Sequence, residues 1–91
     1  DQDERGRIFE LIVGLDLLRL PGDLHYWREG NDEVDFVYRL GKRVTAIEVK
    51  SGRRKSVHGL AKFCKCFPNS KALVVSPENY TEFSKNPKAF L

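Results

Sequence analysis

Asp35, Glu48 and Lys50 are the residues of this chain whose types and spacing suit chemistry. They lie in residues 31–52, N-D-E-V-D-F-V-Y-R-L-G-K-R-V-T-A-I-E-V-K-S-G, where two runs of alternating β-branched and aromatic residues flank Gly41-Lys42. That pattern predicts two antiparallel strands joined by a two-residue turn with Gly in its first position. Counting outward from the turn sets Leu40 opposite Arg43, Val37 opposite Ala46, Asp35 opposite Glu48 and Glu33 opposite Lys50. Period-two alternation puts the last three pairs on one face and leaves Val34, Phe36, Tyr38, Thr45, Ile47 and Val49 on a core face. Directly opposed, the Asp35 and Glu48 Cβ atoms would lie roughly 4.5 to 5.5 Å apart, an arrangement that repels unless positive charge sits between the carboxylates. A divalent cation and Lys50 could supply that charge. The same residues also suit a solvated face with cross-strand ion pairs, Glu33 with Lys50 among them.

The elements around this hairpin follow from periodicity and breakers. Asp3 to Leu20 reads as a helix that stops before Pro21-Gly22. Ile8, Leu11, Ile12, Leu15 and Leu18 form its main apolar stripe, with Phe9, Val13, Leu17 and Leu20 outside it, so burial on several sides is expected. Glu10 lies between Gly6 and Gly14 on one face, where glycines would let another element or a ligand come close. Leu24 to Arg28 is a short aromatic strand, with Trp27 and Arg28 read as packing residues. Past the hairpin, Ser51 to Lys55 is a basic loop, and Ser56 caps a helix to about Phe67 with Val57, Leu60, Ala61, Cys64 and Phe67 as its buried stripe. Lys71 to Val75 reads as a fully buried strand, parallel to its predecessor through a right-handed crossover. Ser76-Pro77-Glu78 opens a last short helix that Asn86-Pro87 closes. The order is α-β-β-β-α-β with a mixed four-stranded sheet flanked by helices. In such sheets ligands gather at the carboxyl ends of strands, where Glu48, Lys50 and the basic loop fall.

Composition limits the alternatives. Ninety-one residues, 41% hydrophobic and 32% charged, describe a single small domain spanning 1–91, of modest burial and marginal stability. No apolar run reaches the roughly 18 residues of a membrane span and no leader pattern opens the chain, so a cytoplasmic location without membrane contact is expected. With no Met, and so no initiator, the chain is expected to be a fragment of a longer protein. A net charge of +3 permits a polyanionic partner without demanding one. Cys64 and Cys66 stand i, i+2 on a helix, about 200° apart, and cannot share a metal. His25 and His58 lack the companions of a zinc site.

The spacing Glu10 … Asp35 … Glu48-Val49-Lys50 resembles the PD-(D/E)xK nuclease superfamily, and the element order is similar to its restriction-endonuclease-like core. More closely, Y-W-R … E-V-D-F-V … A-I-E-V-K-S-G followed by K-A-L-V-V-S resembles the uncharacterised domain found C-terminal to the P-loop module of prokaryotic AAA-type ATPases. The resemblance runs from the first helix to Ser76. It implies that Asp35 and Glu48 bind Mg²⁺ or Mn²⁺, that Lys50 is the lysine of E-x-K, and that Glu10 matches the acidic residue of the first helix in some of these nucleases. It also implies DNA as a substrate or ligand, and a chain that is the C-terminal fragment of a longer ATPase with the protein's own ATPase domain as a partner. Separately, Phe9, Val13, Leu17 and Leu20 outside the main stripe of the first helix are expected to be covered partly by the tail (Phe83, Phe90, Leu91) and partly by a neighbour, a homo-oligomer among the possibilities. Phosphodiester hydrolysis needs an activated water and stabilised phosphoryl charge, which a carboxylate-held cation and a neighbouring Lys provide. Val34 stands where the motif has Pro. Arg53, Arg54 and Lys55 are placed to meet phosphates, and equally suit a solubilising surface. No G-x-x-x-x-G-K-[ST] occurs, so ATP is not expected to bind here. The rival expectation is a non-catalytic interaction module that kept the nuclease fold.

Overall fold

Two glycines in the left-handed region fold the first three strands of the sheet onto one another. The computed structural model describes residues 2–50 and 58–91, with side chains from Glu4 onward. Strands β1 (Asp23–Glu29), β2 (Asp32–Leu40) and β3 (Arg43–Val49) are antiparallel neighbours. Gly30 and Gly41 each hold φ 62° at the first position of a two-residue loop, closed by Glu29 opposite Asp32 and Leu40 opposite Arg43. Among the described residues only glycines take positive φ, so Asn31 and Lys42 follow with negative φ, the sign pattern of a type II′ turn. The expected register of β2 on β3 is observed from Leu40–Arg43 through Val37–Ala46 to Phe36–Ile47.

Strand β4 (Lys71–Val75) pairs parallel with β3 from Thr45–Lys71 to Val49–Val75, giving the order β1-β2-β3-β4. Helix α1 (Gln2–Leu18) precedes the sheet, α2 (His58–Cys66) joins β3 to β4, and α3 (Tyr80–Lys85) is followed by a 3-10 turn at Pro87–Ala89. The order α-β-β-β-α-β, with a mixed sheet flanked by helices, is therefore the architecture of this chain. No described helix is long and apolar enough to cross a membrane.

Both faces of the sheet carry core, where one apolar face was expected. On one side Val13 and Leu17 of α1 pack with Tyr38, Ile47, Val49, Val75, Phe83 and Leu91. On the other, Leu60 and Phe63 of α2 cover Val34, Val37 and Ala46, and Trp27 meets Phe63 edge-on at 5.3 Å. Val34 was expected beside Phe36 but lies on the opposite side. Between His25–Val37 and Trp27–Val34, β1 advances two residues and β2 three, so Asp35 and Phe36 together face Tyr26 in a β-bulge. An extra residue reverses the alternation beyond it.

Helix α1 inverts the expected assignment of its faces. Val13 and Leu17 are buried, Phe9 and Leu20 are packed against the same core, and Ile8, Leu11, Ile12, Leu15 and Leu18 are exposed. The reason is closeness of approach. Gly6 and Gly14 are buried, and a Cβ on Gly14 would stand 3.0 Å from the Phe36 ring. A bulkier helix face could not come as near the sheet, so the glycine side wins over the side with more Leu and Ile. The C-terminal segment completes this layer. The Tyr80 hydroxyl donates to Asp16 Oδ2 at 2.7 Å, Phe9 and Tyr80 meet edge-on at 5.5 Å, and Arg43 Nη2 donates to the Leu91 carbonyl at 2.7 Å.

Two further expectations change. Strand β4 is an edge strand with Val75 buried, Leu73 half-buried and Ala72 and Val74 exposed, because α2 sits over β2 and β3 and leaves one side of β4 uncovered. On α2 the buried positions are Gly59, Leu60 and Phe63, while Ala61 and Phe67 are exposed. Ser56 and Val57 lie outside the described residues.

The helix is again drawn in by a glycine, for a Cβ on Gly59 would run into the Glu33 carbonyl. Gly59→Ala is therefore expected to cost about 1 to 3 kcal/mol through forced displacement of α2, read as a lower urea midpoint, whereas Ala61→Ser on the exposed side should stay within about 0.5 kcal/mol of the parent.

Candidate functional site

The two central strands bring Asp35 and Glu48 to neighbouring positions. Phe36 and Ile47 are Cα partners, and the two carboxylates are the next residues outward on each strand, at the end of the described β2–β3 pairing. Asp35 is half-buried and forms part of the bulge opposite Tyr26. Bulges re-aim side chains and end pairing, and they recur beside active sites for that reason. Glu48 is 9% exposed, and its Oε1 presents less than 1 Å² to solvent. Ile47 and Val49 belong to the α1-side core and Ala46 to the α2-side core, so alternation turns Glu48 toward the α2 side.

Lys50 follows directly on β3. Its backbone N–H donates to the Val75 carbonyl at 2.8 Å, which extends the parallel ladder and fixes Lys50 at the carboxyl ends of β3 and β4, while its side chain is exposed. Glu78, a residue the sequence reading used only as a helix start, stands in the field of Lys50. Its carboxyl is held below the usual range first by a hydrogen bond from Ser76, then by its own backbone N–H, with Lys50 adding a weaker attraction. Ser76 is positioned by Asn79, whose Oδ1 accepts from the Ser76 N–H at 2.7 Å and whose Nδ2 donates to the Val74 carbonyl at 2.9 Å. The signal for this corner was the S-P-E-N turn directly after a strand end.

Tyr26 and Glu33 were likewise not assigned together. The Tyr26 hydroxyl donates to Glu33 Oε2 at 2.7 Å, and this bond to a carboxylate raises the Tyr26 pKa. Glu33 pairs with Arg28 across the β1–β2 ladder, and its expected pairing with Lys50 falls beyond the described β2–β3 register. Glu10 is half-buried in α1, on the other side of the sheet from the layer that Glu48 faces. Arg53, Arg54 and Lys55 lie outside the described residues. Among the described residues, no three His, Cys, Asp or Glu side chains converge as metal ligands. Two carboxylates alone would suit Mg²⁺ or Mn²⁺ better than zinc, because the former keep several waters and take one or two protein carboxylates; alternation turns Glu48 to the α2 side, whereas the bulge takes Asp35 out of that alternation.

A family model described as a domain of unknown function (DUF4143) matches residues 5–89 of this chain. No curated protein and no solved structure matches it.

The Glu78 corner sets a titration. Because its folded pKa is depressed, its contribution to stability is present above the ordinary carboxylate range and is lost as pH falls through the depressed value. Ser76→Ala should raise the Glu78 pKa by more than Lys50→Ala does, followed by carboxyl carbon NMR. Equal values in parent and both variants would remove Lys50 and Ser76 as its neighbours in solution.

Proposed function

The chain belongs to the DUF4143 family, and from that premise we propose that it is a metal-dependent, nuclease-like domain that binds and cleaves phosphodiesters, or binds nucleic acid, in the service of an ATPase. Domains of this family are in general found C-terminal to AAA ATPase modules. The observation that carries the reading is the adjacency of Asp35 and Glu48 at one end of the two central strands, where a bulge interrupts the sheet at Asp35 and Lys50 follows Glu48 by two residues.

In this reading Asp35 and Glu48 hold Mg²⁺ or Mn²⁺, the cation supplying Lewis acidity and a more acidic water when bound. Strand β3 would position Glu48 and the bulge of β2 would aim Asp35, with Glu48 held away from bulk water. Lys50 offsets developing negative charge on phosphoryl oxygens or orients the attacking water. Its exposure at the strand ends leaves it able to meet a substrate too large to enter a cleft. Glu10 has the weakest place in this scheme, because α1 packs across the sheet from Glu48. Arg53, Arg54 and Lys55, between β3 and α2, would follow the phosphate backbone.

A second reading, an interaction module without catalysis, is favoured by the exposed apolar side of α1. Metal separates the two. Under the nuclease reading Mn²⁺ binds in the millimolar range or tighter by calorimetry, and Asp35→Ala abolishes the heat. Nicking of plasmid DNA then requires Mg²⁺ or Mn²⁺ and falls by orders of magnitude in Glu48→Gln and Lys50→Ala without loss of the circular dichroism spectrum. Cleavage by Glu48→Gln at the parent rate, or an absence of metal binding in the parent, would remove the proposal in favour of the interaction module.

A further inference from the structure

The outer side of α1 carries an apolar patch. Ile8 is 56% exposed, Leu11 66%, Ile12 40%, Leu15 55% and Leu18 65%. They are contiguous. Ile8, Leu11, Leu15 and Leu18 follow a 3-4-3 spacing, so Ile8 and Leu15 repeat at seven residues and Leu11 and Leu18 do the same, which is the a/d seam of a two-stranded helical pair. Ile12 widens the seam on one flank. A helix that had no need of this side would be expected to carry polar residues there.

We propose that this face is the interface of a homodimer in which α1 packs antiparallel against α1 of a second copy. The seam is self-complementary in that arrangement. When Ile8 lies opposite Leu18 of the copy, Leu11 lies opposite Leu15, and the twofold axis repeats both contacts, as an isologous interface requires. The area suffices. The five side chains expose roughly 500 Å² per copy, so the pair could bury at most on the order of 1,000 Å², the size at which specific interfaces begin, from a patch as large as the largest on a typical monomer. The ordering entropy is small, because Val13 and Leu17 already anchor α1 on the sheet and the outer side is presented on a rigid helix. Arg5 and Arg7 of α1 and Arg19 just past it are exposed beside the seam, and this register sets Arg7 level with Arg19 of the copy, so like charges meet at the rim at a cost that salt screens. The dimer leaves the sheet end with Asp35 and Glu48 to its own chemistry and stands whether or not that site binds metal.

Sedimentation across a series from low micromolar to near millimolar tests the dimer. The parent mass is expected to rise from one copy to two, while Leu11→Glu and Leu15→Lys each hold the single-copy mass with an unchanged circular dichroism spectrum, both positions being exposed within the chain. An equimolar mixture of these two variants should recover the doubled mass, because the antiparallel register sets the two substitutions opposite each other with opposite charge. A parent of single-copy mass at every concentration would overturn the proposal and leave the face to a different protein. A doubled mass that persists in both variants, or a mixture that fails to recover it, would overturn the interface and its register.

Discussion

A left-handed backbone at Gly41 governs the arrangement of the two central strands, and most of the structure depends on that arrangement. With φ at 62° the turn closes in two residues, so Leu40 must meet Arg43 and every later pair follows by counting. Ile47 then lies in one core and Ala46 in the other, and β3 can present apolar residues to two helical layers at once. A three-residue loop would shift the pairing and exchange these faces, placing core residues against the wrong layer.

Close approach is the second constraint. Gly14 lets α1 settle against Phe36, and Gly59 lets α2 settle against the Glu33 carbonyl, so each layer is pulled toward the sheet at a position without a side chain. The same preference leaves the richer apolar side of α1 outward. The domain thus stabilises itself with a smaller hydrophobic surface than its composition offers, and the remainder is available for association. The tail adds what a small core lacks, with Phe83 fully buried, Phe90 edge-on to it at 5.8 Å, and Leu91 tied to Arg43.

Regularity ends where the acidic residues begin. Up to Phe36–Ile47 the ladder of β2 and β3 is regular. One step further, β2 bulges at Asp35, and β3 carries an enclosed carboxylate at Glu48 where its neighbours Ile47 and Val49 are core. An apolar residue of similar size at this strand end would avoid the desolvation that an enclosed acid incurs. The Lys50, Ser76 and Glu78 groups at the adjoining strand ends make this the polar end of the sheet.

Much of this was legible in the sequence. Gly41-Lys42 between alternating runs determined the hairpin and its register, and Pro21-Gly22, Pro68-Asn69 and Asn86-Pro87 bounded the elements, because turn chemistry and breakers act locally. The E-x-K spacing likewise singled out Glu48 and Lys50 without any knowledge of their burial. Tertiary structure decided the rest. The bulge that moves Val34 away from Phe36 arises from the match between β1 and β2, a relation between distant residues that alternation within one strand does not contain. The exposed side of β4 follows from where α2 comes to rest. The inward side of α1 was decided by Gly14 against Phe36, because hydropathy measures how much apolar surface a side carries and says nothing of how near that side can approach its neighbour.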